Sequence, residues 1–111
     1  MERIDQYRQA IRSLLERYAA EENRDDQLET QVVCDSEHDH YQLVSLGWQG
    51  QRRFYSCLMH LDIKNGKIWI QRNQTDQLIA QELVKMGVAR EDIVLGLQPA
   101  YARPDTGYGV A

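Results

Sequence analysis

Three histidines, two cysteines and a handful of carboxylates are the side chains of this sequence with the widest chemical reach. His38-Asp39-His40, if extended, would put two imidazoles on one face of a strand, half of a tetrahedral zinc site. No third and fourth ligands follow at a recognised spacing, and Asp35-Ser36-Glu37-His38-Asp39 reads more simply as a polar loop between strands. No metal is therefore expected. His60 and Asp62, two apart on one strand face, can hydrogen-bond as a base and its orienter. Neither serine nor cysteine stands at a nucleophile elbow beside them, because strict alternation points Cys57 to the opposite face. The expectation is a hydrogen-bonded surface histidine, with no catalytic residue and no enzyme. The glycines form neither G-x-G-x-x-G nor a P-loop, so no nucleotide cofactor is expected.

Charge narrows the partners. With 13 basic against 17 acidic residues the net charge is −4, a poor balance for neutralising phosphates. The candidates for contact with DNA are Arg52 and Arg53 at one end of a strand, and Lys64 and Lys67 at its other end. They form no continuous stripe, so any route to DNA should be indirect. A chain of 111 residues makes one domain, residues 1–111. The start Met1-Glu2-Arg3-Ile4-Asp5 has no apolar run to serve as a signal, and no stretch reaches membrane-spanning length. A cytoplasmic protein without membrane contact is expected. Cys34 and Cys57, each among apolar neighbours, then read as small buried thiols.

The elements that must position these groups follow from periodicity. Residues 2–20 place Ile4, Tyr7, Ile11, Leu14, Leu15 and Tyr18 at steps of three and four, an amphipathic helix. Residues 21–26 break that pattern as a charged linker. Leu28–Asp35, His40–Trp48 and Phe54–Lys64 have strand character, with Gly47, Gln49 and Gly50 marking a turn. A second helix starts near Asn73–Asp76, capped by Thr75 or Asn73, and ends at Met86 before Gly87, burying Leu78, Ile79, Leu83 and Met86 with Glu82 at the rim. Val88–Asp92 is a turn and Ile93–Leu97 a short extended segment. The tail from Gln98, with both prolines, Tyr101 and Tyr108, should be ordered only by packing on the body or a partner. The fold class is α+β: an antiparallel four-stranded sheet, five-stranded if Ile93–Leu97 joins, with the two helices packed on one face.

Asn65-Gly66 between apolar alternations is a type I′ hairpin signature. It sets Ile63 opposite Ile68, Asp62 opposite Trp69, Leu61 opposite Ile70 and His60 opposite Gln71. Alternation then gives Tyr55, Cys57, Met59, Leu61, Ile63, Ile68 and Ile70 to the core. Phe54, Leu58, His60, Asp62, Trp69 and Gln71 fall to the other face, an aromatic and polar mixture that suits a protein interface. The competing expectation is that the tail folds over these residues. An apolar outer face also suits a homodimer.

Asp39-His40-Tyr41-Gln42-Leu43, Gly47-Trp48, His60-Leu61-Asp62-Ile63-Lys64 and Gly66-Lys67-Ile68-Trp69-Ile70-Gln71 resemble the fdxN element excision controlling factor XisI family. Gly87-Val88, Asp92-Ile93-Val94-Leu95-Gly96, Pro99, Arg103 and Thr106 continue the resemblance to the C-terminus. It implies an accessory role in programmed excision of a DNA element from a nitrogen-fixation gene in filamentous cyanobacteria, where a serine recombinase cuts and rejoins the DNA. The partners it implies are an XisH-like protein, a site-specific recombinase, or both. It carries no established catalytic residues.

Overall fold

The structure, a computed structural model, describes residues 2–22 and 27–110. Residues 23–26 of the expected charged linker lie outside the described residues. Helix α1, Arg3–Glu22, buries Tyr7, Ala10, Ile11, Leu14, Leu15, Tyr18 and Ala19, with Ile4 half-buried at its start. The three-and-four spacing of these residues makes one stripe, and the sheet beneath removes that stripe from water.

Strands β1 (Leu28–Asp35), β2 (His40–Gln49), β3 (Arg52–Lys64) and β4 (Lys67–Asn73) form an antiparallel meander in chain order. Asn65 and Gly66 take φ of 54° and 75°, the left-handed pair that a type I′ turn needs. Helix α2 (Ile79–Lys85) then crosses over, and β5 (Ile93–Val94) adds a fifth strand beside β4. It runs parallel to β4, as a strand reached through a helical crossover can, so the sheet is mixed rather than wholly antiparallel.

Helix α2 starts later than expected. Asn73 Oδ1 accepts hydrogen bonds from the Thr75 amide at 3.0 Å and the Thr75 hydroxyl at 2.6 Å, and Thr75 Oγ1 accepts from the Gln77 amide at 3.2 Å. These local side-chain bonds replace the first helical turn instead of capping it. Leu78 consequently precedes the helix and is 61% exposed, and Met86 is 37% exposed, so neither joins Ile79 and Leu83 in the core. Glu82 does sit at the rim, paired with Arg17 at 3.2 Å.

The helix side of the sheet carries Tyr41, Leu43, Met59, Leu61, Ile63, Ile68 and Ile70, all buried. Two irregularities interrupt the simple alternation. Leu43 pairs with Met59 but Val44 pairs with Cys57, which leaves Leu58 as an extra residue in β3. Leu61 pairs with Ile70 but His60 pairs with Arg72, which leaves Gln71 extra in β4. His60 is therefore opposite Arg72, not Gln71. Below Leu58 the faces of β3 are exchanged: Tyr55 is 69% exposed and Cys57 half-buried, rather than both lying in the core. Phe54, paired with Gly47, takes the parity of Leu43 and Ser45 and leaves the face that holds His60. Leu58 packs against the core.

Two carboxylates fasten α1 to the sheet. Asp39, in the β1–β2 turn at φ 59°, accepts both prongs of the Arg8 guanidinium at 2.8 and 3.1 Å and the Tyr41 hydroxyl at 2.8 Å. Asp92 accepts the Tyr7 hydroxyl at 2.6 Å and Arg3 at 3.3 Å. The Arg8 fork holds the Asp39 carboxyl below the usual carboxylate range against the opposing effect of burial. Burial, reinforced by the neighbouring carboxylates, pushes both tyrosine hydroxyls up. A charge-assisted fork is worth more than a neutral hydrogen bond. Asp39→Asn keeps a residue that tolerates left-handed φ and removes the charge. It should lower unfolding free energy by about 1.5–3 kcal/mol, read from the urea midpoint at unchanged m-value.

Candidate functional site

The outer face of the sheet gathers the chemistry. His40 begins β2 and pairs with Asp62 on β3; Gln42 pairs with His60; Asp62 pairs with Trp69 on β4. Cross-strand neighbours lie close enough for side chains to meet. Asp62 Oδ1 accepts from His40 Nδ1 at 2.8 Å and from His60 Nε2 at 2.9 Å. Its Oδ2 accepts from Gln71 Nε2 at 3.2 Å, and the Gln42 amide reaches His60 Nδ1 at 3.4 Å. Asp62 is only 7% exposed although it lies on the face opposite α1.

Burial alone would raise the Asp62 pKa, but the hydrogen bonds from His40, His60 and Gln71 outweigh it and hold the carboxyl below its ordinary value. The same bond raises His40 above the ordinary imidazole value. The cluster can share protons or hold a cation, since His40, His60 and Asp62 offer ligand atoms within 4.8 Å of one another. No activated nucleophile stands with it among the described residues: burial pushes the Cys57 thiol up, and its Sγ donates to the Met59 carbonyl at 3.2 Å.

Cysteines and other candidates separate. Cys34 and Cys57 are both half-buried free thiols, on opposite sides of the sheet by register. His38 lies in the β1–β2 turn, bonded to Asp35 at 2.9 Å, and does not share a strand face with His40. Arg52 and Arg53 are exposed at one end of β3, and Lys64 and Lys67 flank the hairpin at the other. An apolar cleft of about 220 Å³ beside α2, lined by Ile70, Ile79, Leu95, Leu97 and Tyr108 among others, is smaller than the roughly 300 Å³ at which ligand pockets begin.

The outer face has two halves. Over β4 the C-terminal segment forms a roof: the Leu97 amide donates to the Ile70 carbonyl at 3.1 Å, and Arg103 lies 5.1 Å from the Trp69 ring. Lys64 Nζ lies 4.6 Å from the same ring. A side chain at Gly96 would meet Gln71 Oε1 at 2.6 Å, so that glycine lets the segment close on Trp69 and Gln71. Over β1–β3 the face is open. Val33, Trp48 and Tyr55 are 46%, 53% and 69% exposed, with Arg53 5.4 Å above the Trp48 ring.

Of the six residues expected to share an interface, His60, Asp62, Trp69 and Gln71 are brought together, while Phe54 and Leu58 are not. His40 and Gln42 join them instead, while Val33, Trp48 and Tyr55 share the same face, Trp48 and Tyr55 at its far end. Strict counting from the turn at Gly50 would set His40 opposite Leu61. The extra residue at Leu58 moves it opposite Asp62. No glycine or proline in Phe54–Met59 marks the bulge, so the sequence carries no local signal for it.

The family model described as XisI protein matches residues 1–110. A crystal structure of a XisI-like protein from Anabaena variabilis ATCC 29413 is 51% identical, with a TM-score of 0.92 over 97% of this chain and 99% of that one. The structure of fdxN element excision controlling factor XisI from the same organism is 28% identical, with a TM-score of 0.85 over 99% and 100%. No curated protein matches. No helix among the described residues is long and apolar enough to cross a membrane.

The cluster has a definite pH signature. His40, raised in the fold, contributes stability that is fully present below its unfolded value of about 6.5 and is lost as pH rises through the higher folded value. Asp62, depressed in the fold, contributes stability present above its unfolded value of about 3.9 and lost as pH falls through the lower folded value. NMR titration should place His40 above the ordinary imidazole value in the native chain. In Asp62→Asn it should fall back toward about 6.5.

Proposed function

The chain belongs to the XisI family, and from that premise we propose that it is a non-enzymatic controlling factor in DNA-element excision that works by holding another protein. The name borne by its 28% identical relative, an excision controlling factor, supports the role. The open half of the outer sheet face supports the means. Val33 lies exposed there across from Gln42 near the polar His40–Asp62–His60 cluster, and Trp48 and Tyr55 lie exposed toward the other end of β2 and β3, an aromatic and polar mixture that suits a protein interface. That open aromatic face is the observation that carries the proposal.

The occupant proposed is an XisH-like protein, with a site-specific recombinase as the second candidate. A net charge of −4 favours contact with DNA through such a partner rather than by this chain alone. Arg52 and Arg53 stand apart from Lys64 and Lys67, and Arg53 and Lys64 are already engaged over Trp48 and Trp69.

A Trp48→Asp, Tyr55→Asp double variant should weaken binding to an XisH-like partner at least 100-fold, measured by biolayer interferometry, with the fold checked by circular dichroism. Phe54→Ala, on the other parity, should change it little. Unchanged affinity in a folded double variant removes this face from the mechanism. Nanomolar binding of the isolated chain to duplex DNA at physiological salt would replace the reading with direct DNA recognition, and dimers dissolved by the same double variant would assign the face to self-association.

A further inference from the structure

We propose that His40, His60 and Asp62 form a binding site for a divalent transition-metal ion at the outer face of the sheet. Two imidazoles and one carboxylate are a ligand set suited to zinc, iron(II), manganese, cobalt or nickel, while calcium and magnesium favour oxygen ligands throughout. The inference does not depend on which protein, if any, docks on this face.

The geometry supports it at three points. Both imidazole nitrogens already converge on Asp62 Oδ1, His40 Nδ1 at 2.8 Å and His60 Nε2 at 2.9 Å. Ligands about 2.1 Å from a metal lie about 3.0 Å apart on neighbouring octahedral positions and about 3.4 Å apart on tetrahedral ones, so these two separations reach the edges of a coordination sphere with small side-chain adjustments. The three ligand atoms fall within 4.8 Å of one another, and the His40 side chain, 57% exposed, is free to turn and close the remaining edge.

The carboxylate is pre-oriented. Asp62 has a side chain only 10% exposed, and Gln71 holds its Oδ2 at 3.2 Å. Gln71 is itself backed by the close approach of Gly96. Such outer partners orient the ligands of metal sites and fix their charge. His60 has a partner of the same kind, because Gln42 lies 3.4 Å from its Nδ1.

Coordination requires each ring to be neutral, a protonated ring first releasing its proton to solvent, with the remaining proton moved off the ligating nitrogen. His40 moves its proton from Nδ1 to Nε2. His60 moves its proton from Nε2 to Nδ1, where the Gln42 amide, turned over, accepts it through Oε1. The metal then takes the place of the two hydrogens now shared with Asp62. Three protein ligands from one face leave the remaining positions open to water or to an oxygen of another molecule.

The test is calorimetric titration of ZnCl2 into tag-free, EDTA-stripped protein at pH 7.5, with histidine ¹⁵N correlation spectra recorded beside it. The expected result is one saturable site per chain, weakened at least 10-fold by His60→Ala and by Asp62→Asn, and unchanged by His38→Ala. His40→Ala, at a side chain 57% exposed, should weaken it similarly, and circular dichroism of each variant guards against misfolding. Zinc should shift the His60 Nε2 and His40 Nδ1 signals. Absence of a saturable site below about 100 μM, an affinity of about 5.5 kcal/mol, would overturn the proposal. So would binding that survives His40→Ala or that disappears with His38→Ala.

Discussion

Between Leu43 and Val44, strand β3 carries one residue more than β2, and the content of both sheet faces follows from that surplus. A strand alternates its side chains with period two, so one extra residue exchanges the faces of everything beyond it. On the hairpin side of Leu58, Met59, Leu61 and Ile63 point under the helices. On the other side, Cys57 and Tyr55 take the outer parity. The same offset brings His40 opposite Asp62, where continuous pairing would have set it against Leu61. A core, an exposed aromatic patch and a histidine–aspartate cluster thus have one geometric origin. Bulges recur beside functional sites because they re-aim side chains in this way.

The helices fix which face is inside. Leu14, Leu15 and Ile11 are wholly buried against the sheet, each contributing about 1.5–3 kcal/mol of apolar transfer. That burial has no direction of its own. Direction comes from Asp39 and Asp92, which receive Arg8 with Tyr41 and Arg3 with Tyr7 respectively. Asp39 also ties the turn to β3, its carbonyl accepting the Ile63 amide at 3.0 Å. The turn that aims His40 is thereby braced against α1 and against the strand that carries Asp62.

Much of this architecture was legible in local signals. The stripe from Tyr7 to Tyr18, the Asn65-Gly66 corner and the strand limits of Leu28–Asp35 each rest on chemistry contained within a few residues. Errors arose where the outcome depends on distant pairing. Counting outward from Asn65-Gly66 is correct as far as Leu61 and fails at His60, where Gln71 is surplus. Counting past Leu58 fails for the same reason, misplacing Phe54, Tyr55 and Cys57. The late start of α2 is a different case, a competition between Asn73 and Thr75 side chains and the helical backbone that composition alone does not decide. His60 and Asp62 were recognisable as a pair from their spacing. His40 was not recognisable as their third member, because its place depends on the bulge.

The roofed and open halves of the outer face meet at Asp62. On the roofed side Gln71 and Trp69 lie beneath the C-terminal segment, and Lys64 and Arg103 stand over the Trp69 ring. On the open side His40 has more than half of its side chain in water. The carboxylate therefore loses much of its hydration to one neighbour while keeping histidine partners whose charge solvent can adjust. A buried anion needs donors, and its attraction to them strengthens as water withdraws. Any body that closes over the open half would remove more water from Asp62 and raise the worth of a cationic partner there. A protonated imidazole and a divalent metal ion both answer that demand. Surface closure and the charge state of the cluster are consequently linked through one carboxylate, and occupation of either should favour the other.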